Sequence, residues 1–481
     1  MNLTDELTRK SVVDLAELIR TRQVSPVEVV EAHLQRIEKL NPALNAIVTL
    51  ADDVIDRARA AQAAVMSDKE LGPLHGVPLT IKDTIDTEGL LTTSGSLLRA
   101  NDVPGSDATV VARLKAAGAI ILGKTNTSEM AIPYETDNPV FGRTNNPHDL
   151  NRTSGGSSGG EAAAISAGLS PAGVGSDLSG SIRVPAHFCG IAGLKPTTGR
   201  VPMQGHVPTT KGPLALGAGI GPMARRIDDL ALLFYVIADP TQFEMNLVAG
   251  KTHGMSDPAE LRGLRVASYT NDGVATVAEE ISQTVEAAAH VLRDAGLEVS
   301  EATPPGSSQG SRLWVELFSR AATEQMQAFY RDRENEAGPL AGNLLCEENK
   351  KEIGMAEKIE AAERLANAVL ERERLREELL GWMKTNAIII APVGATCAFE
   401  HGARRVEVAG ESISVFRAFS YSQTFNVFGL PSVVVPAGRS SEGLPIGVQI
   451  VGRPFEEGMV LATSTFIEEA LGGWQPPPDR S

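Results

Sequence analysis

Apolar residues near the start of the chain recur at the three- and four-residue spacing of an amphipathic helix. Val27, Val30, Leu34 and Ile37 form one stripe behind Ser25-Pro26-Val27-Glu28, which supplies an N-cap, a proline at the first helical position and a capping-box glutamate. Asn41-Pro42 is expected to end that helix. An earlier helix, from about Val12 to Arg20, opens on Ser11 and Asp14 as its capping pair.

From about residue 74 to 235 the pattern changes to short apolar runs between glycine-rich turns. Val77–Ile81, Ala119–Leu122 and Ala172–Gly175 read as buried strands, with helices at Ala108–Ala117 and about Gly160–Ala167 between them. This alternation predicts an α/β fold with a central mixed, largely parallel sheet covered by helices on both faces. Active sites in such sheets lie in loops at strand ends. Residues 312–385 are charged and rich in Glu, Arg, Ala and Leu, with a long helix predicted over Met355–Trp382. They read as a helical insertion or cap, or as a solvated helical pair without a chemical role. Strands return at Ala387–Ala391, Ser432–Val435 and Gly447–Val451, before a closing helix from about Glu456 to Leu471. Without an internal repeat or a low-complexity linker, residues 1–481 read as a single domain. Within it, 1–70 are N-terminal helices, 74–235 the core, 312–385 the insertion, and 386–481 the C-terminal strands and helix.

Composition narrows the function. Apolar residues make up 42% and charged residues 22% of the 481, an ordinary globular balance. A net charge of −16 argues against a nucleic-acid grip, which depends on Lys and Arg displacing counterions from phosphates. The apolar runs Ala387–Pro392 and Ser432–Pro436 fall far short of the about 20 residues needed to span a bilayer. Met1 to Ser11 carries both signs of charge and no apolar segment, so a cytoplasmic protein is expected. The three cysteines, Cys189, Cys346 and Cys397, have no paired spacing, and the eight histidines form no HExxH cluster. No disulfide framework, metal site or cofactor is therefore expected.

One motif misleads. Gly118-Ala-Ile-Ile-Leu-Gly123-Lys124-Thr125 matches the written phosphate-loop pattern. A phosphate loop follows its strand, whereas these four intervening residues are the strand, so sheet pairing should engage their amides.

Three stretches carry candidate chemistry. Thr153-Ser-Gly-Gly-Ser-Ser-Gly-Gly160 has linker composition but sits inside the predicted sheet unit, before helix-forming Glu161-Ala-Ala-Ala-Ile. A shaped backbone fits better there than a loose one. Gly175-Ser-Asp-Leu-Ser-Gly-Ser181-Ile-Arg-Val-Pro185 places a serine where a strand ends and the chain turns. That arrangement can expose a hydroxyl beside converging backbone N–H groups, although a strand-end serine is also a common cap. Lys82 stands at the mouth of the apolar Val77–Ile81, where burial would lower its pKa and free the amine as a base. His75 and His187 lie near these motifs and read as structural.

Together these stretches resemble the amidase-signature hydrolases, which include fatty-acid amide hydrolases and aryl acylamidases. The resemblance rests on Gly76-Val-Pro-Leu-Thr-Ile-Lys-Asp83, Gly155-Gly-Ser-Ser-Gly-Gly160 and Asp177-Leu-Ser-Gly-Ser-Ile-Arg-Val-Pro185. It continues through Cys189–Thr197, Asn426–Pro436 and Pro445–Gln449 and is weakest from about 240 to 385. The resemblance implies a Ser–cis-Ser–Lys triad, with Lys82 as base, Ser157 as relay and Ser181 as nucleophile; Ser158 competes for the relay role. It places the oxyanion hole on the backbone amides of Leu178, Ser179, Gly180 and Ser181, with Asp177 and Arg183 in support. Glu129-Met-Ala-Ile-Pro-Tyr134 aligns with the substrate-side loop, which singles out Met130, Ala131 and Tyr134. One departure is Ser179, where the family usually has glycine. The implied partner is a small-molecule amide or carbamate, with no nucleic acid and no membrane span, and a homo-oligomer is compatible with the sequence. The alternative activity is that of the glutamine-hydrolysing A subunit of a tRNA-dependent amidotransferase. Trp314, Leu317, Phe318 and Phe329 are candidates for an acyl pocket, or for helix core.

Overall fold

Short apolar runs bounded by glycine and proline form β1 (Ile47–Leu50), β2 (Pro78–Lys82), β3 (Ile120–Thr125), β4 (Ala172–Asp177), β5 (Ala192–Lys195) and β6 (Gly219–Ala224). The second half adds β7 (Arg265–Ser268), β8 (Glu298–Glu301), β9 (Ile388–Pro392), β10 (Arg405–Val408), β11 (Glu411–Ser414), β12 (Ser432–Arg439) and β13 (Pro445–Gly452). The protein is seen in a computed structural model that describes residues 3–67, 70–132, 134–238, 255–345 and 355–478; Cys346 and part of the 312–385 block lie outside them.

Eleven strands form one sheet in the order β1-β3-β2-β4-β6-β5-β12-β13-β9-β7-β8, and β10 and β11 pair separately. The sheet is mixed, as expected, but less parallel than the helix–strand alternation suggested. Four neighbouring pairs are parallel (β2 with β3 and β4, β7 with β8 and β9). The other six are antiparallel. β12 and β13 account for much of the difference, because the short link between them can only return the chain antiparallel. β2, β9 and β13 are buried along their whole length, which is why they read as apolar runs rather than alternating ones.

Helices pack on this sheet: Gly159–Ser166 against β2, β4 and β6, Arg183–Cys189 against β5, β12 and β13, and Glu457–Leu471 against β12 and β13. Gly173 and Gly175 of β4 let the first of these helices approach closely. A Cβ at Gly173 would stand 2.1 Å from a Glu161 carboxylate oxygen, and one at Gly175 2.8 Å from Ser158 Oγ.

The N-terminal helices, Val12–Arg20 and Pro26–Leu44, carry the predicted capping boxes. The second runs through Pro42 instead of stopping at it. The Asn41 side chain receives the amides of Ala46 and Ile47, each at 2.9 Å, and so holds the exit beyond the proline. In the second half, helices Ser307–Trp314 and Arg320–Tyr330 are joined by one π-helical turn, Val315–Ser319. The long helix Met355–Trp382 forms as predicted.

The phosphate-loop lookalike is β3, paired on both sides by β1 and β2. Its Lys124 is buried and donates to the Ile85 carbonyl and the Thr92 hydroxyl. Cys189 and Cys397 are free thiols. Among the described residues, no helix is long and apolar enough to cross a membrane.

Candidate active site

β2 ends at Lys82, whose side chain is fully buried. Lys82 Nζ lies 2.6 Å from Ser157 Oγ and 3.1 Å from Ser176 Oγ. Burial disfavours the ammonium and lowers its pKa to about 7, although the charges of Asp177 and Glu161 partly oppose this. Glu161 sits below the pair, accepting from the hydroxyls of Thr80 and Thr125. Burial raises its own pKa to about 7.

Ser157 reaches Lys82 from the glycine-rich stretch, where the Gly156–Ser157 peptide bond is cis. Ser158 faces elsewhere: its hydroxyl donates to the Ser176 carbonyl at 3.3 Å and its amide to the Ser181 carbonyl at 3.1 Å. Of the two serines, then, Ser157 is the one in contact with the lysine.

β4 delivers the third group. It ends at Asp177, and the chain turns through residues 178–182 into the helix Arg183–Cys189. Asp177 organises that turn: its carboxylate receives the amides of Gly180 at 2.8 Å and Ile182 at 3.1 Å. It also pairs in bidentate fashion with Arg183, both N···O distances being 3.0 Å, with both side chains fully buried. Burial alone would raise the carboxyl pKa, but the Arg183 guanidinium and the Asn426 amide hold it well below the usual carboxylate range.

This network corrects one expectation. The Gly180 N–H belongs to Asp177, so it is not free to hold an oxyanion. Among the described residues the amides of Leu178, Ser179 and Ser181 have no such partner. Their carbonyls are fixed from outside the turn: Trp314 Nε1 donates to the Leu178 carbonyl at 2.7 Å, and the Tyr134 hydroxyl to that of Ser179 at 3.0 Å. Because a trans peptide sets N–H opposite C=O, the first bond fixes the direction of the Ser179 N–H and the second that of Gly180.

Ser157, Ser176, Asp177, Leu178, Ser179 and Ser181 form one side of a cavity of about 280 Å³. The Ser181 hydroxyl has no hydrogen-bond partner among the described residues and opens onto this space. The Lys82–Ser157 contact is thus closed, while that between the two serine hydroxyls is not. The remaining walls are largely apolar, with Met130, Ile132, Met203, Leu214, Trp314 and Phe416 prominent. Among the described residues, Asp177 alone lines the cavity with a charged side chain, and it is tied to Arg183.

In the segment singled out as the substrate-side loop, Met130 and Ala131 line the cavity, both with positive φ (50° and 60°). Tyr134 does not line it. It is buried behind the 178–182 turn, bridging Ser179 and Gln423. Of the four aromatic and aliphatic candidates in the helical block, Trp314 alone lines the cavity; Leu317 and Phe318 are core, and Phe329 packs beside Tyr330. His75 and His187 are held by the carbonyls of Ala61 and Thr396. Ser176 and His206 were not predicted. Ser176 lies inside a recognised motif without any special spacing, and nothing in the sequence marks Gly205-His206-Val207-Pro208.

The amidase family model matches residues 28–461. Fatty-acid amide hydrolase 2 of Homo sapiens is 32% identical to the chain, over 98% of this chain and 91% of that protein. The glutamyl-tRNA(Gln) amidotransferase A subunit of Roseiflexus sp. (strain RS-1) is 34% identical over 96% of each. The structure of a bacterial aryl acylamidase superposes with a TM-score of 0.82 at 28% identity, covering 96% of both chains. With matches of this depth running over nearly its whole length, the chain belongs to the amidase signature family of amide-hydrolysing enzymes.

Proposed function

We propose that this amidase cleaves its substrate through a Ser181 acyl-enzyme, with Ser157 as proton relay and Lys82 as base. The observation that carries the reading is the 2.6 Å contact between a buried lysine and Ser157, on the wall of the cavity into which Ser181 opens. Neutral Lys82 takes the Ser157 proton as Ser157 takes that of Ser181, and Ser181 Oγ attacks the acyl carbon. The amides of Leu178, Ser179 and Ser181 hold the oxyanion; losing one such donor typically costs about 2.7–4 kcal/mol of transition-state stabilisation. As the tetrahedral species collapses, the carbon–nitrogen bond breaks and the proton returns through Ser157 to the departing amine. Water, deprotonated along the same path, then hydrolyses the acyl-enzyme. Ser181→Ala should abolish the acyl-enzyme burst while leaving the circular-dichroism spectrum unchanged; a burst retained by that variant rules out the nucleophile.

The cavity favours an uncharged substrate with an apolar acyl or aryl part, as an amide, anilide or carbamate. Glutamine would bring an α-ammonium and an α-carboxylate, and among the described residues no lining side chain offers a free cation for the latter. This disfavours the amidotransferase reading. Assays with p-nitroanilides, short amides and aryl carbamates should give turnover where glutamine gives none. Glutamine hydrolysis that exceeds all of these, with or without partner proteins, reverses the choice.

A further inference from the structure

A hydrogen-bond chain runs from Lys82 away from Ser157 and Ser181. Lys82 Nζ lies 3.1 Å from Ser176 Oγ, which lies 2.8 Å from Nε2 of His206. The other ring nitrogen, Nδ1, is 2.8 Å from the Pro208 carbonyl oxygen. A carbonyl only accepts, so Nδ1 carries the ring hydrogen. Burial, reinforced by the nearby Lys82 charge, lowers the His206 pKa to about 4, so the ring is neutral and Nε2 bears no hydrogen. Nε2 must accept, and the only hydrogen Ser176 can give it is its hydroxyl proton. Towards Lys82, Ser176 therefore presents lone pairs alone.

A neutral amine has two N–H bonds and one lone pair. With Ser176 able only to receive an N–H, the Lys82 lone pair is left for the other hydroxyl in contact, that of Ser157. We propose that His206 is a positioning residue: by fixing Ser176 as an acceptor, it aims the lone pair of Lys82 at Ser157. The inference rests on the reading of Lys82 as base. The arrangement serves both halves of the proton cycle, because an ammonium also donates to Ser176. No hydroxyl on that side has to reorient as the proton moves, which is the preorganisation that favours a low barrier. Without an acceptor at His206, the Ser176 hydroxyl is free to turn and donate to the Lys82 lone pair, in competition with Ser157.

The test separates reach from bulk. His206→Asn keeps an N–H donor for the Pro208 carbonyl but is too short to accept from Ser176, whereas His206→Gln is long enough to do so. For His206→Asn, kcat should fall about 10- to 100-fold, part of the about 100- to 10,000-fold that a positioned base contributes. KM and the melting temperature should stay unchanged, and His206→Gln should recover most of the rate. In a Ser176→Ala background, His206→Asn should change kcat by less than about twofold, because the hydroxyl through which it acts is gone. The inference is overturned if His206→Asn leaves kcat within about twofold of wild type, or costs the same factor with Ser176→Ala present. Lys82→Ala, assayed alongside, keeps the two readings apart. If it retains the wild-type rate, the base assignment fails; if it is inactive while His206→Asn is silent, only the role of His206 fails.

Discussion

Replacing Lys82 with methionine should abolish turnover and yet stabilise the folded protein near neutral pH. Its pKa falls from 10.5 to about 7 on folding, mainly through burial. At 1.36 kcal/mol per pKa unit this sets the ammonium about 5 kcal/mol less stable in the folded chain than in the unfolded one. At pH 6 both states carry the proton and the whole penalty is present. Between 7 and 10.5 the unfolded chain holds a proton that the folded chain lacks, so wild-type stability rises with pH across that window and the penalty fades. Methionine fills similar space without a charge but gives up two hydrogen bonds to hydroxyls, worth about 1 kcal/mol each. Lys82→Met should therefore be more stable than wild type by about 3 kcal/mol at pH 6, and less stable by about 1 kcal/mol at pH 10. Urea denaturation of both proteins at pH 6, 7, 8, 9 and 10 measures the difference, and groups not coupled to Lys82 cancel. A variant no more stable than wild type at pH 6, or one whose advantage persists undiminished at pH 10, refutes the argument.

Three further outcomes are expected. The wild-type kcat/KM should climb about tenfold per pH unit below pH 7, level off near the Lys82 pKa and remain high on the alkaline side; a steady fall from neutral to alkaline pH with the fold intact contradicts the assignment. Trp314→Phe, which removes the bond to the Leu178 carbonyl and part of the cavity wall but keeps an aromatic ring there, should lower kcat by about tenfold or more, a fraction of the cost of losing an oxyanion donor, and an unchanged kcat would show that the Ser179 amide needs no such anchor. Arg183→Met should destabilise the protein by about 3–5 kcal/mol in chemical denaturation, because it leaves the Asp177 carboxylate buried and unpaired; a loss below about 1 kcal/mol would mean that the amides and Asn426 hold that charge without the guanidinium.

Much of the site was legible because its signals are local. The apolar run before Lys82, the small residues around Ser157 and the strand-end Ser181 each announce themselves within about ten residues. The partners of these segments do not. Which strand lies beside which depends on contacts far apart in sequence, and so the antiparallel share of the sheet was underestimated. Pro42 does not end the helix, which continues to Leu44, and the Asn41 side chain holds the chain only beyond that end, a bond that sequence spacing does not announce. The loss of the Gly180 amide to Asp177 was within reach of the sequence, since a carboxylate three residues before an N–H is an ordinary turn pairing. Trp314 at Leu178 and His206 at Ser176 were not, for only the folded chain brings them together.

The π-helical turn at Val315–Ser319 sits in the middle of the helical segment that lines the cavity. Trp314 lies before the turn, and Ala322, Gln325 and Met326 lie after it, all on the cavity wall. A π turn holds one residue more than the α-helical repeat, and one residue corresponds to about 100° of rotation. Deleting a single codon there would swing every later side chain of the helix by about that angle, changing the cavity wall they form while Lys82, Ser157 and Ser181, carried on other elements, stay in place. The shape of this cavity wall and the placement of the proposed triad thus rest on separate elements of the fold, and a change of one residue in the helix alters the first without moving the second.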